Sequence, residues 1–111
     1  MTGVQTCALP IWLSFAKFNQ PFAEFPKDFA KLPTVSLVVP NLLNDMHDGS
    51  IAQGDSWLAQ NIDQYAQWAL THNSLLILTW DEDNGTVENQ IATLFFGAMV
   101  NSGQSAQHIN H

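Results

Sequence analysis

The chain has 111 residues, the length of one small domain, and is 46% hydrophobic, which is enough apolar material for a core. Ten acidic side chains against three lysines give a formal charge of −7. That balance argues against nucleic acid and anionic membrane surfaces as partners, and it repels an anionic substrate unless a bound cation reverses the local field. No apolar run approaches the ~20 residues that a membrane span needs.

The opening segment, Met1-Thr2-Gly3-Val4-Gln5-Thr6-Cys7-Ala8-Leu9-Pro10-Ile11, corresponds to the translation of a common sequencing adapter. It has neither the basic start nor the apolar length of a signal peptide. Residues 1–11 are therefore expected to be an adapter-derived artefact. Residues 12–111 are expected to be the C-terminal part of a domain cut at both ends, with any signal peptide lying upstream of the chain. The single cysteine, Cys7, falls in the adapter-like segment, so cysteine usage says nothing about redox compartment.

From Trp12 to Leu32 the chain is rich in Phe and Pro. Pro21 and Pro26 exclude one long helix, and Phe15, Phe18, Phe22, Phe25 and Phe29 read as rings laid over a core. Pro26–Leu32 reads as a short helix. Thr34–Val39 is β-branched between two prolines and predicts a strand. Asn41–Ser50, dense in Asn and Asp, predicts a loop.

The clearest helix is Asp55–Thr71. Asp55 is its expected N-cap, and Leu58, Ile62, Tyr65, Ala66 and Ala69 are its buried stripe. Ser74–Trp80 predicts a second strand, Asn84-Gly85 a turn and Ile91–Phe96 a third strand. Asn84-Gly85-Thr86 also matches a glycosylation sequon, a tripeptide too short to outweigh the turn reading.

The second strand, Leu75-Leu76-Ile77-Leu78-Thr79-Trp80, runs straight into Asp81-Glu82-Asp83. An apolar run of this kind reads as a central strand of a parallel sheet that delivers acidic groups to its end. Strand, helix, strand predicts a right-handed βαβ unit and an α/β fold. The two strand ends would then share one sheet edge, the place where ligands bind in open α/β sheets. Asn44-Asp45-Met46-His47-Asp48 and Asp81-Glu82-Asp83 would meet there.

Carboxylates with one or two imidazoles suit a divalent cation such as magnesium, manganese, calcium or zinc. An EF-hand starting at Asp81 fails, because Ala92 stands where its Glu belongs. No Gly-x-Ser-x-Gly elbow and no P-loop is present.

Four stretches resemble the phosphoesterase family, which holds bacterial acid phosphatases and non-haemolytic phospholipases C within the alkaline-phosphatase superfamily. They are Pro40–Gly49, Gly54-Asp55-Ser56-Trp57-Leu58, Thr79-Trp80-Asp81-Glu82-Asp83 and Asn89-Gln90-Ile91. The resemblance implies a fragment of an alkaline-phosphatase-like parallel sheet and a metal-assisted phosphoric ester hydrolase, secreted or periplasmic in the intact parent. The substrate implied is a phosphate ester, and the cofactor a divalent metal ion.

Matched position by position, the resemblance makes Asp81 and Glu82 metal ligands. His47 and Asp48 become part of the phosphate and metal pocket, and His111 a further ligand. Gln90 departs from the histidine that many relatives carry, which weighs against a second metal. The family's nucleophilic Ser or Thr belongs to a motif upstream of this chain. Ser50, Thr79 and Thr86 lie outside that motif, and the fragment alone is expected to be inactive. A phospholipase-C-like phosphodiesterase and a non-catalytic metal-binding module are the alternatives.

Overall fold

The computed structural model describes Gly3–Gln5 and residues 18–107. Contacts divide the chain into two compact units, residues 1–63 and 64–111. Both helix and sheet are present, so the α/β class holds.

In the first unit, β1 (Gly3–Gln5) pairs antiparallel with β2 (Asn19–Pro21) on one side and with β3 (Leu37–Val39) on the other. The first of these strands falls inside the adapter-like segment. The aromatic stretch forms two single 3₁₀ turns, Phe22–Glu24 and Phe29–Lys31, the second capped by Asp28, whose carboxylate accepts from the Ala30 amide. Its rings run as a ladder: Phe29 to Phe25 at 6.2 Å, Phe25 to Phe22 at 5.2 Å, and Phe22 to Trp57 at 5.2 Å. Phe22, Phe25 and Phe29 thus act in packing, as their composition suggests.

Helix α1 spans Ile51–Asn61 and begins before the expected Asp55. Ser50 is its N-cap, with Oγ accepting from the Gln53 amide at 3.2 Å. Asp55 lies inside the helix. Ile62, the C-cap at φ −116°, ends α1, while the Asn61 side chain bonds back to the Trp57 carbonyl. A second helix, α2, spans Asp63–Ala69. The single long helix read from the apolar stripe is therefore two. Of the expected buried stripe, Ile62 and Ala69 are buried, and Leu58, Tyr65 and Ala66 are half-buried.

In the second unit, β4 (Leu76–Thr79) pairs antiparallel with β5 (Thr93–Phe96). Leu76 faces Phe96, Ile77 faces Phe95, and Leu78 faces Leu94. Thr79 faces Thr93 with their hydroxyls 2.9 Å apart. The end of α2 is tied to the segment after β5, the Ala98 amide donating to the Ala69 carbonyl at 3.0 Å. Gly97 sits so close to Ser74 that a Cβ there would lie 2.4 Å from the Ser74 carbonyl oxygen.

The parallel βαβ pairing is not what the structure shows. Among the described residues β3 and β4 belong to separate sheets, and every pairing is antiparallel. The reason lies in residues 80–92. They turn the chain straight back beside β4, and antiparallel neighbours need only a reversing loop, whereas a parallel pair needs a crossover. Nor is β4 buried on both faces: Ile77 is 53% and its partner Phe95 50% exposed. No helix among the described residues is long and apolar enough to cross a membrane.

Candidate functional site

The loop after β3 is wound by its own backbone. The amides of Asn44 and Asp45 both donate to the Asn41 carbonyl, and the Asp48 amide donates to that of Leu42 at 2.8 Å. Asn41 also caps this turn through its side chain, which accepts from the Asn44 amide. Met46 takes a positive φ of 77°, a conformation uncommon for a residue with a side chain.

Two glycines permit this winding. A Cβ on Gly49 would stand 1.8 Å from the Leu43 carbonyl oxygen, and one on Gly54 would stand 2.7 Å from the Met46 Cε. Gly54, buried in α1, thus lets the helix approach the loop and seat Met46. The glycine of Gly54-Asp55-Ser56-Trp57-Leu58 has a packing reason.

This winding presents His47 and Asp48 together. His47 Nδ1 lies 2.8 Å from Asp48 Oδ1, with the two side chains 64% and 55% exposed. The His47 amide donates to Asp45 Oδ1 at 2.9 Å. A carboxylate on Nδ1 orients an imidazole and settles its tautomer.

The carboxylates after β4 divide into two kinds. Asp83 is absorbed by its own loop. Its Oδ1 accepts from the amides of Gly85 at 2.8 Å and Thr86 at 3.0 Å. Its Oδ2 accepts from the Thr86 hydroxyl and from the Gln90 amide. The Asp83 amide in turn donates to Asn89 Oδ1. Gly85 and Asn89 both take positive φ, 86° and 48°, so the Asn84-Gly85 turn is where the sequence puts it.

The Thr86 hydroxyl holds the Asp83 carboxyl below the ordinary carboxylate range. Partial desolvation opposes this, and the Gly85, Thr86 and Gln90 amides add to it. Asp81 and Glu82 are exposed. Neither makes a hydrogen bond or ion pair with the described residues.

Among the described residues no group of three or more His, Cys, Asp or Glu side chains comes together as a metal cage. His47 and Asp48 form one pair in the first unit, Asp81 and Glu82 another in the second, and His111 lies outside the described residues. No parallel pair among the described residues joins the strand before His47 to the strand before Asp81. The role of Asp83 was missed in the sequence although its signal was present. Asp83-Asn84-Gly85-Thr86 is an Asx-turn pattern, with the acceptor two and three residues ahead of its donors.

Residues 11–105 match the Phosphoesterase family, and the chain belongs to that family. A phosphatidylinositol-3-phosphatase of Mycobacterium tuberculosis (strain ATCC 25618 / H37Rv) is 52% identical to it over 106 residues, which cover 90% of this chain and 36% of the relative. The chain thus spans about a third of that relative's length. No solved structure matches it.

Proposed function

We propose that the whole protein hydrolyses a phosphoric monoester with the help of a divalent cation, and that an inositol lipid bearing a 3-phosphate is its substrate class. The observation that carries this reading is the 52% identity to a phosphatidylinositol-3-phosphatase. It favours the acid-phosphatase-like reading over the phospholipase-C-like diesterase, since a phosphatase removes a terminal phosphate.

The donor chemistry fits the cation. Asp81 and Glu82 are adjacent, exposed, hard oxygen donors without protein partners among the described residues. They would hold it, with His111 as a further ligand, and His47 with Asp48 would face the phosphate. When bound, the cation neutralises phosphoryl charge and lowers the pKa of the attacking hydroxyl. In a chain of formal charge −7, that neutralisation is also what lets an anionic substrate approach.

Ser50, Thr79 and Thr86 are not assigned as nucleophiles in this reading, since they lie outside the nucleophile's motif, and each has a structural partner. Ser50 caps α1, Thr79 bonds Thr93 across the hairpin, and Thr86 donates to Asp83. The 111-residue chain by itself should therefore release no phosphate from an aryl phosphate or from phosphatidylinositol 3-phosphate, with zinc, manganese, magnesium or calcium added.

A chimera tests the positive half. Residues 11–105 replace the matching segment of the mycobacterial relative, and phosphate release from the inositol lipid is measured. Retained turnover that disappears with Asp81→Asn supports the reading. Turnover by the 111-residue chain alone, or a folded chimera without turnover, defeats it.

A further inference from the structure

Asn84-Gly85 is the one Asn-Gly pair in the chain. Asparagine is a thermolabile residue, and glycine after it is the most labile setting, because no side chain screens the following amide. The chemistry is intramolecular. The glycine's backbone nitrogen, once its proton is removed, attacks Cγ of the asparagine. A C–N bond forms and the Cγ–Nδ2 bond breaks. Ammonia leaves, carrying a proton in place of the one that the glycine nitrogen lost, and a five-membered succinimide remains. Water then opens the ring at either carbonyl, giving aspartate or isoaspartate.

Two features leave Asn84 open to this reaction. Its side chain is exposed and makes no hydrogen bond with the described residues. A Cβ placed on Gly85 would meet nothing within 4 Å, so the space beside the attacking nitrogen is free. A third feature opposes the reaction. The Gly85 amide donates to Asp83 Oδ1 at 2.8 Å. A hydrogen bond to one protonation state favours that state, and a neighbouring like charge disfavours an anion. The Gly85 nitrogen must lose its proton to attack, and here it would do so against a carboxylate. The Thr86 amide, the Thr86 hydroxyl and the Gln90 amide hold that carboxylate in place.

We infer that Asn84 is a deamidation site and that Asp83 is its brake, keeping the proton on the Gly85 nitrogen so that succinimide closure is slow while the loop is folded. The inference is independent of the proposed cation and substrate. Conversion places a further carboxylate after Asp81, Glu82 and Asp83, and makes a chain of formal charge −7 one unit more negative. The isoaspartate product also adds a methylene to the backbone inside residues 83–90, the stretch that Asp83 closes by accepting the Gln90 amide.

The test is mass-spectrometric peptide mapping of the 111-residue chain held at neutral pH, with the acid formed at Asn84 followed in time. Asn101-Ser102, exposed in the same chain, is the internal control. In the folded wild type Asn84 should deamidate about ten-fold more slowly than in urea, the scale of one hydrogen bond to a charged group. Asp83→Ala should bring the folded rate close to the urea rate and leave Asn101 unchanged. Asp83→Ser keeps an oxygen acceptor for the Gly85 amide without the charge, and its rate should fall between.

Amide exchange along the β4–β5 ladder reports whether each variant keeps the hairpin. If Asp83→Ala loses that protection, Asp83→Ser carries the comparison. A folded wild-type rate equal to the urea rate overturns the inference. So does a folded Asp83→Ala, or in its place Asp83→Ser, that deamidates no faster than wild type. An Asn84 that reacts no faster than Asn101 in urea removes the site itself.

Discussion

The two acidic loops are built on opposite plans. Residues 41–50 are held by many small contributions: carbonyls of Asn41 and Leu42 accepting three amides, Met46 seated against Gly54, and Gly49 pressed on Leu43. Residues 80–92 are held at one point, the Asp83 carboxylate. The first plan resists the loss of any single side chain but tolerates no added bulk. The second has open space around it, with nothing within 4 Å of a Cβ placed on Gly85, where only the positive φ of 86° disfavours a side chain, but it depends on one charge. The lesson is that equal acidity in the sequence conceals unequal mechanics.

The largest expected break comes from bulk in the first loop. Gly49→Ala puts a methyl group 1.8 Å from a backbone oxygen, and backbone cannot step aside as a side chain end would. A loss of about 3 kcal/mol, the upper part of the range for overpacking, should appear as a lower urea midpoint. An unchanged midpoint would mean that the loop is not wound tightly against Leu43.

Acid should act on the second loop and spare the first. Asp83 has a lowered folded pKa. Its contribution is therefore present above the unfolded carboxylate pKa and disappears as pH falls through the lower folded value. Amide exchange at Gly85, Thr86 and Gln90, corrected for its intrinsic pH dependence, should lose protection in that acid window. The Asp48 amide, bonded to the Leu42 carbonyl, should keep its protection there. Parallel loss at both places would erase the contrast between the loops.

The smallest effect concerns the start of the chain. Removing Met1–Ile11 takes away β1, whose backbone lies between β2 and β3. All three strands are three residues long, and the family match begins at residue 11. The midpoint should therefore move by less than ~1 kcal/mol, a typical single-mutation effect. A larger loss would make the adapter-like segment a structural part of the first loop's support.

Much of this was legible without coordinates. The β-branched run before Pro40, the apolar run before Asp81 and Ile91–Phe96 each contain a strand. Asn84-Gly85 is a turn, and the motifs placed the chain in its family. These are local properties, since side-chain shape, proline and glycine act on the residues that carry them and their immediate neighbours.

Three things were decided by tertiary structure alone. Strand direction was one, because β4 pairs with whichever strand the 80–92 loop returns, and apolar composition does not encode direction. The helix boundaries were another. Ser50 and Asp55 are both good caps in isolation, and only Ser50 has its oxygen at the first exposed amides. The third was the part of the division of labour among Asp81, Glu82 and Asp83 that the local Asx pattern does not carry, the return of the Gln90 amide to Asp83. A carboxylate's role depends on which donors the fold brings to it, and the Gln90 amide reaches Asp83 only after the loop has closed.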